Sequence, residues 1–108
     1  MFLIVTKYLI PKGYRGLTVF PFVFIKYRLD EVNDVFINHE RIHLRQQLEM
    51  LIVPFFIWYS LEFFVRLIQF KKWDLAYRNI SFEREAYANE QDLDYVKIRS
   101  FWSFLKYI

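Results

Sequence analysis

The chain has 108 residues, no cysteine and a formal net charge of +3, with hydrophobic residues at 56% and aromatic residues at 22%. That length accommodates one domain built round one core, and the lack of cysteine excludes disulfides, thiolate metal ligands and cysteine nucleophiles. The charge is small, scattered and without a nucleic-acid-binding motif, so no nucleic-acid partner is expected, and the mild basicity suits an anionic membrane surface better.

The opening MFLIVTKYLIPKG has no basic residue ahead of its apolar patch and no small-residue cleavage pattern. It reads as a strand over 2–10 rather than a signal peptide. Lys12-Gly13-Tyr14-Arg15-Gly16 supplies a turn, and the β-branched and aromatic run over 17–27 a second strand. Pro21 cannot donate to a ladder, which places that strand at an edge. After a polar connection over 28–34, Asp34 can cap a helix that starts near Val35 and runs to about Val53, since Pro54 disfavours helical geometry in the residue before it. FFIWYSLEFFVRLIQF follows, apolar nearly all round, with Glu62 and Arg66 at i, i+4 spacing. The charge-free run over 50–61 is 12 residues, whereas a bilayer span needs about 20. Residues 50–70 are therefore expected to form a buried or membrane-interface helix. A polar connection over 71–79 contains Trp73 and Tyr77, and a last long helix begins near Ser81, capped by Asn79 or Ser81. The expected fold is α+β, a mainly helical single domain over 1–108 with a small N-terminal β-hairpin or sheet.

His39 and His43 are the only histidines, they stand four apart, and Glu40 directly follows the first. On a helix, imidazoles at i and i+4 project the same way from successive turns, so both can reach one zinc ion. Glu40 is swung about 100° round the helix, which makes it a base for a metal-activated water rather than a ligand at the same depth. On a free helix face the two histidines would bind nothing, but Phe36, Ile37, Ile42, Leu44 and Leu48 imply a half-buried helix with its histidines in a cleft. A third ligand has to come from elsewhere. Glu83 and Glu85, at the start of the last helix, both offer a carboxylate, although acidic residues in a first turn are favoured by the helix dipole in any case.

His39-Glu40-Arg41-Ile42-His43, followed on a later helix by Glu83-Arg84-Glu85-Ala86-Tyr87, resembles the gluzincin zinc peptidases, above all the minimal ones and the HtpX-type membrane peptidases. Their later helix carries a Glu-x-x-Ala-Asp pattern whose glutamate is the third zinc ligand. The resemblance implies a minimal zincin-like architecture, Zn2+ held by His39, His43 and Glu83, Glu40 as general base, and a peptide or protein substrate lying extended along the 17–27 strand. Tyr87 stands where the pattern has aspartate, so the hydrogen bond that the pattern gives a zinc-bound histidine has to come from the tyrosine hydroxyl or be lost. Tyr59, Tyr77 and Tyr87 are candidate donors to an oxyanion. Gln46 extends the polar strip, Glu62 and Arg66 read as a helix-surface pair, and the aromatic stripe of Phe55, Phe56, Trp58, Tyr59, Phe63 and Phe64 as core or lipid contact. The expected location is the cytoplasm, at or near the cytoplasmic face of a membrane touched through 50–70. The alternative is an inactive membrane-peripheral or scaffold protein with a structural or degenerate zinc site, which the small size and the aromatic-rich 50–70 segment favour.

Overall fold

Among the described residues, three short strands and five helices make an α+β fold that is mainly helical. The structure is a computed structural model and describes residues 2–10 and 13–108; Lys12 of the expected turn lies outside them. Strands β1 (Phe2–Val5), β2 (Gly16–Val19) and β3 (Phe22–Ile25) form one sheet in the order β1-β3-β2. β3 is central, parallel to β1 and antiparallel to β2. The expected single edge strand over 17–27 is thus two strands. Pro21, which has no N–H to give, sits with Phe20 in the two-residue turn between Val19 and its partner Phe22, and the edge falls to β2. The first strand stops at Val5 rather than reaching Ile10.

Helix α1 (Asp34–Met50) is capped by Asn33, one residue before the expected Asp34, through a hydrogen bond from the Phe36 N–H to its side chain. It ends three residues short of Val53 because Leu51 takes a positive φ of 62°. Helix α2 (Ile52–Phe70) begins at once, with Pro54 in its first turn, where a backbone N–H has no helical partner to lose. Two further expectations fail. Residues 71–79 are no loop but contain helix α3 (Trp73–Arg78), which buries Ala76 and packs Trp73 on Phe63. The last long helix is broken into α4 (Ser81–Asn89) and α5 (Tyr95–Ile98). The Asn38 side chain donates to the carbonyls of Asn89, Glu90 and Asp92 at 2.8–3.3 Å, taking up acceptors that a continuing helix would have used. Neither Asn79 nor Ser81 caps α4. Glu62 of α2 does so from outside, accepting from the Ser81 N–H and hydroxyl, so the Glu62–Arg66 pair is half-buried between helices rather than a free surface pair.

Helix α1 packs against β2 on one side and α4 on another. Val23 and Ile25 of β3 meet Ile37, with Phe36 and Leu44 closing the cluster. On the helical side Met50, Phe55, Ile80, Phe82 and Phe104 form a second core. Leu48, expected inward, is half exposed. The polar face of α1 is thereby enclosed between the sheet and α4.

Candidate metal centre

His39, Glu40 and His43 are all buried on α1, and α4 brings Glu83, also buried, against the histidine pair. Glu83 Oε1 lies 3.1 Å from Nε2 of His39 and 3.1 Å from Nε2 of His43, and the two Nε2 atoms are 3.2 Å apart. A tetrahedral zinc ion with bonds of about 2.0–2.1 Å separates nitrogen and oxygen donors by roughly 3.3 Å, so this nearly equilateral triangle fits one face of such a coordination shell.

The bonds of the outer nitrogens fix which ring nitrogen of each imidazole points inward. His39 Nδ1 donates to Glu90 Oε2 at 2.7 Å, and His43 Nδ1 donates to Gln46 Oε1 at 2.8 Å. The Gln46 amide cannot be turned round, because its nitrogen donates to the Phe82 carbonyl and to Glu85. Each imidazole therefore carries a proton on the outside and turns Nε2 towards Glu83, the arrangement that metal-binding histidines adopt. Glu83 Oε2 accepts from the Tyr59 hydroxyl at 2.8 Å, which leaves Oε1 as its inward atom. Burial disfavours a charged His43, but the charge and hydrogen bond of Glu83 outweigh it and hold the imidazole up to about 9. Burial alone would likewise raise Glu83, yet His43 and His39 pull it well below the ordinary carboxylate range. Nitrogen, nitrogen and carboxylate oxygen, each oriented by a partner behind it, suit zinc.

Of the two carboxylates that sequence left open, only Glu83 reaches the histidines. Glu85 faces the other way and is held by Arg99, Tyr95 and Gln46. Tyr87, at the position of the pattern's aspartate, packs its ring edge-on against His39 at 4.5 Å, and the hydrogen bond to His39 comes instead from Glu90. The signal for Glu90 lay in the sequence: it stands at i+7 from Glu83, on the same helical face. Gln46 does more than extend a polar strip, since it holds His43. Thr18 carried no recognisable signal.

Glu40, a third of a turn on from His39, points at the edge strand, where the Thr18 hydroxyl donates to its Oε2. A Cβ at Gly16 would stand 2.8 Å from the Phe36 ring and 3.1 Å from Glu40 Oε1, so a glycine lets β2 approach the carboxylate. Two cavities meet here. One, of about 460 Å³, is walled by Phe55, Phe56, Tyr59, Phe63 and Phe64 and reaches Glu40, His43 and Glu83. The aromatic stripe is thus a cleft wall as well as core. The other, of about 650 Å³, is more polar, contains His39, Arg15, Arg78 and Glu90, and also reaches Glu40. Tyr14, Trp73 and Tyr77 line both, with Trp73 Nε1 donating to the Tyr14 hydroxyl at 2.9 Å. Comparison with protein-family models, with curated proteins and with solved structures found no match to this chain.

Proposed function

We propose that the chain is a zinc-dependent peptidase in which His39, His43 and Glu83 hold the metal and Glu40 is the general base. The observation that carries this reading is the position of Glu40, beside the donor triangle and at the junction of two cavities. Cleaving a chain in its interior requires room on both sides of the bond, whereas a purely structural site needs none. Bound zinc would supply an acidified water and polarise the carbonyl under attack.

Glu40 takes the water's proton. Its Oε2 is occupied by Thr18, so the neighbouring oxygen is the acceptor, and the hydroxyl bond keeps the carboxylate from rotating away. Tyr59 is committed to Glu83. Tyr77 lines both cavities, and burial with the Glu83 charge holds its hydroxyl well above the ordinary phenol value, so it remains a donor for an oxyanion.

The edge strand positions substrate. Pairing of β2 with β3 turns the backbone groups of Gly16, Thr18 and Phe20 away from the sheet. Gln47 takes the Thr18 carbonyl and the Phe20 N–H at 2.7 Å each, so an extended peptide pairs with the Gly16 end, next to Glu40.

Replacing Glu40→Gln tests the reading. Zinc content is expected to stay at the wild-type level while cleavage of a labelled unfolded protein falls by about 10²–10⁴; cleavage that survives would remove Glu40 from its role. A membrane-peripheral scaffold with structural zinc remains the second reading, favoured by the exposed apolar side of α2. It requires that the zinc-loaded wild type cleave nothing and unfold when zinc is removed.

A further inference from the structure

Helix α2 is 19 residues long, yet only Phe55 is fully buried. Val53, Ile57, Leu61, Phe64, Val65 and Ile68 are each 57–78% exposed, and their spacing of three and four puts them along one face for the full length of the helix. The two charges of α2, Glu62 and Arg66, lie on the other side, where Glu62 binds Ser81 and Trp58. An uncharged apolar strip roughly 23 Å long is far more than scattered surface leucines would make.

The charges around the strip are mostly basic. From Arg41 to Asp74 the exposed charged residues are the cations Arg41, Arg45, Lys71 and Lys72 and the acid Asp74, while Glu49 and Glu62 are withdrawn from the surface. Lys71 and Lys72 directly follow the helix, and the 61%-exposed Trp73 comes next. An apolar helical face with cations and an indole at its end matches the boundary between acyl chains and anionic headgroups. Parallel pairing with a second copy would bring the Lys71 and Lys72 ends together. A membrane span is disfavoured because α3 and the core already cover the inner side of α2, and Glu62 and Arg66 are committed there.

We propose that the outer face of α2 docks flat on the surface of an anionic lipid bilayer, with Lys71 and Lys72 engaging headgroups. Ser60 and Phe64 belong both to this side and to the wall of the apolar cavity, so the docked protein opens that cavity towards the lipid boundary. The docking stands whether or not the cleft hydrolyses peptides.

Flotation of the full chain with vesicles tests it. The wild type is expected to float with vesicles of phosphatidylcholine and phosphatidylglycerol, and at least about tenfold less with phosphatidylcholine alone. The triple variant Ile57→Ser, Leu61→Ser, Ile68→Ser, whose residues lie outside the cavity walls, should lose flotation and keep its melting temperature. Lys71→Glu with Lys72→Glu should abolish the preference for anionic vesicles. Wild type that stays unbound, or a triple variant that floats as well as wild type, overturns the proposal. So does a discrete dimer in light scattering that the triple variant dissociates without any vesicle binding, which would assign the face to a second copy.

Discussion

Around Arg99 the carboxylates of Glu85 and Glu49 meet a guanidinium of the chain itself, at 2.7 and 2.6 Å, and all three side chains are withdrawn from solvent. Around Glu83, on the same helix two residues away, a carboxylate meets two imidazoles whose Nε2 atoms turn towards it. Gln46 joins the regions, accepting from His43 and donating to Glu85. Both bury negative charge in a greasy interior, where an uncompensated charge is prohibitive. One is balanced by a permanent internal cation and serves to fold the C-terminal segment back on α4. The other is balanced by a removable proton on His43, so it could exchange that proton for a metal ion. The two clusters differ in whether the counter-charge is permanent.

The largest effect that would break this comparison is expected from His39→Ala with His43→Ala: zinc retained by untagged protein, read by elemental analysis, should fall to background, whereas variants at Arg99 should still bind it if folded. Next comes Arg99→Ala, which leaves Glu85 and Glu49 buried without their cation and should cost about 3–5 kcal/mol in chemical denaturation. A loss below about 1 kcal/mol would mean that the cluster is not internally balanced.

The proton exchange sharpens the contrast through pH. His43 rises from 6.5 in the unfolded chain to about 9, so its contribution is complete below pH 6.5 and disappears as pH climbs through 9. Glu83 is lowered from 4.5, so its contribution is present above that value and disappears in acid. Metal-free protein should therefore be most stable between about pH 4.5 and 6.5 and lose on the order of 3 kcal/mol by pH 10. With zinc bound the alkaline loss should vanish. Equal pH profiles with and without zinc would contradict the exchange. The smallest effect is expected from Glu90→Ala, which frees His39 Nδ1 and should weaken zinc affinity about 10–100-fold. Titration against a competing chelator measures it, and unchanged affinity would reduce Glu90 to a surface acid.

Much of the site was legible because it is local. The donors His39 and His43 and the adjacent Glu40 are placed by helical spacing alone, and the choice of Glu83 over Glu85 followed from motif resemblance before any contact was visible. The sheet and the helical ends were less legible. The run over 17–27 looks uniform in composition, and only pairing with β3 turned Pro21 into a turn residue. Short α3 has too little periodicity to announce itself, being held by packing on α2. The apparent single helix after Ser81 breaks because Asn38, some fifty residues earlier, takes its terminal carbonyls.

Residue order by itself determined which side chains share a helical turn, and hence the imidazole pair and its neighbouring carboxylate Glu40, because that geometry follows from the repeat of the backbone. Only the tertiary structure decided what stands behind them: Glu90 and Gln46 setting the imidazoles, Thr18 holding Glu40, Arg99 claiming Glu85, and α2 left with an apolar face outward. Those pairings join segments distant in the chain, and they are chosen by which buried polar groups can satisfy one another once the core has closed.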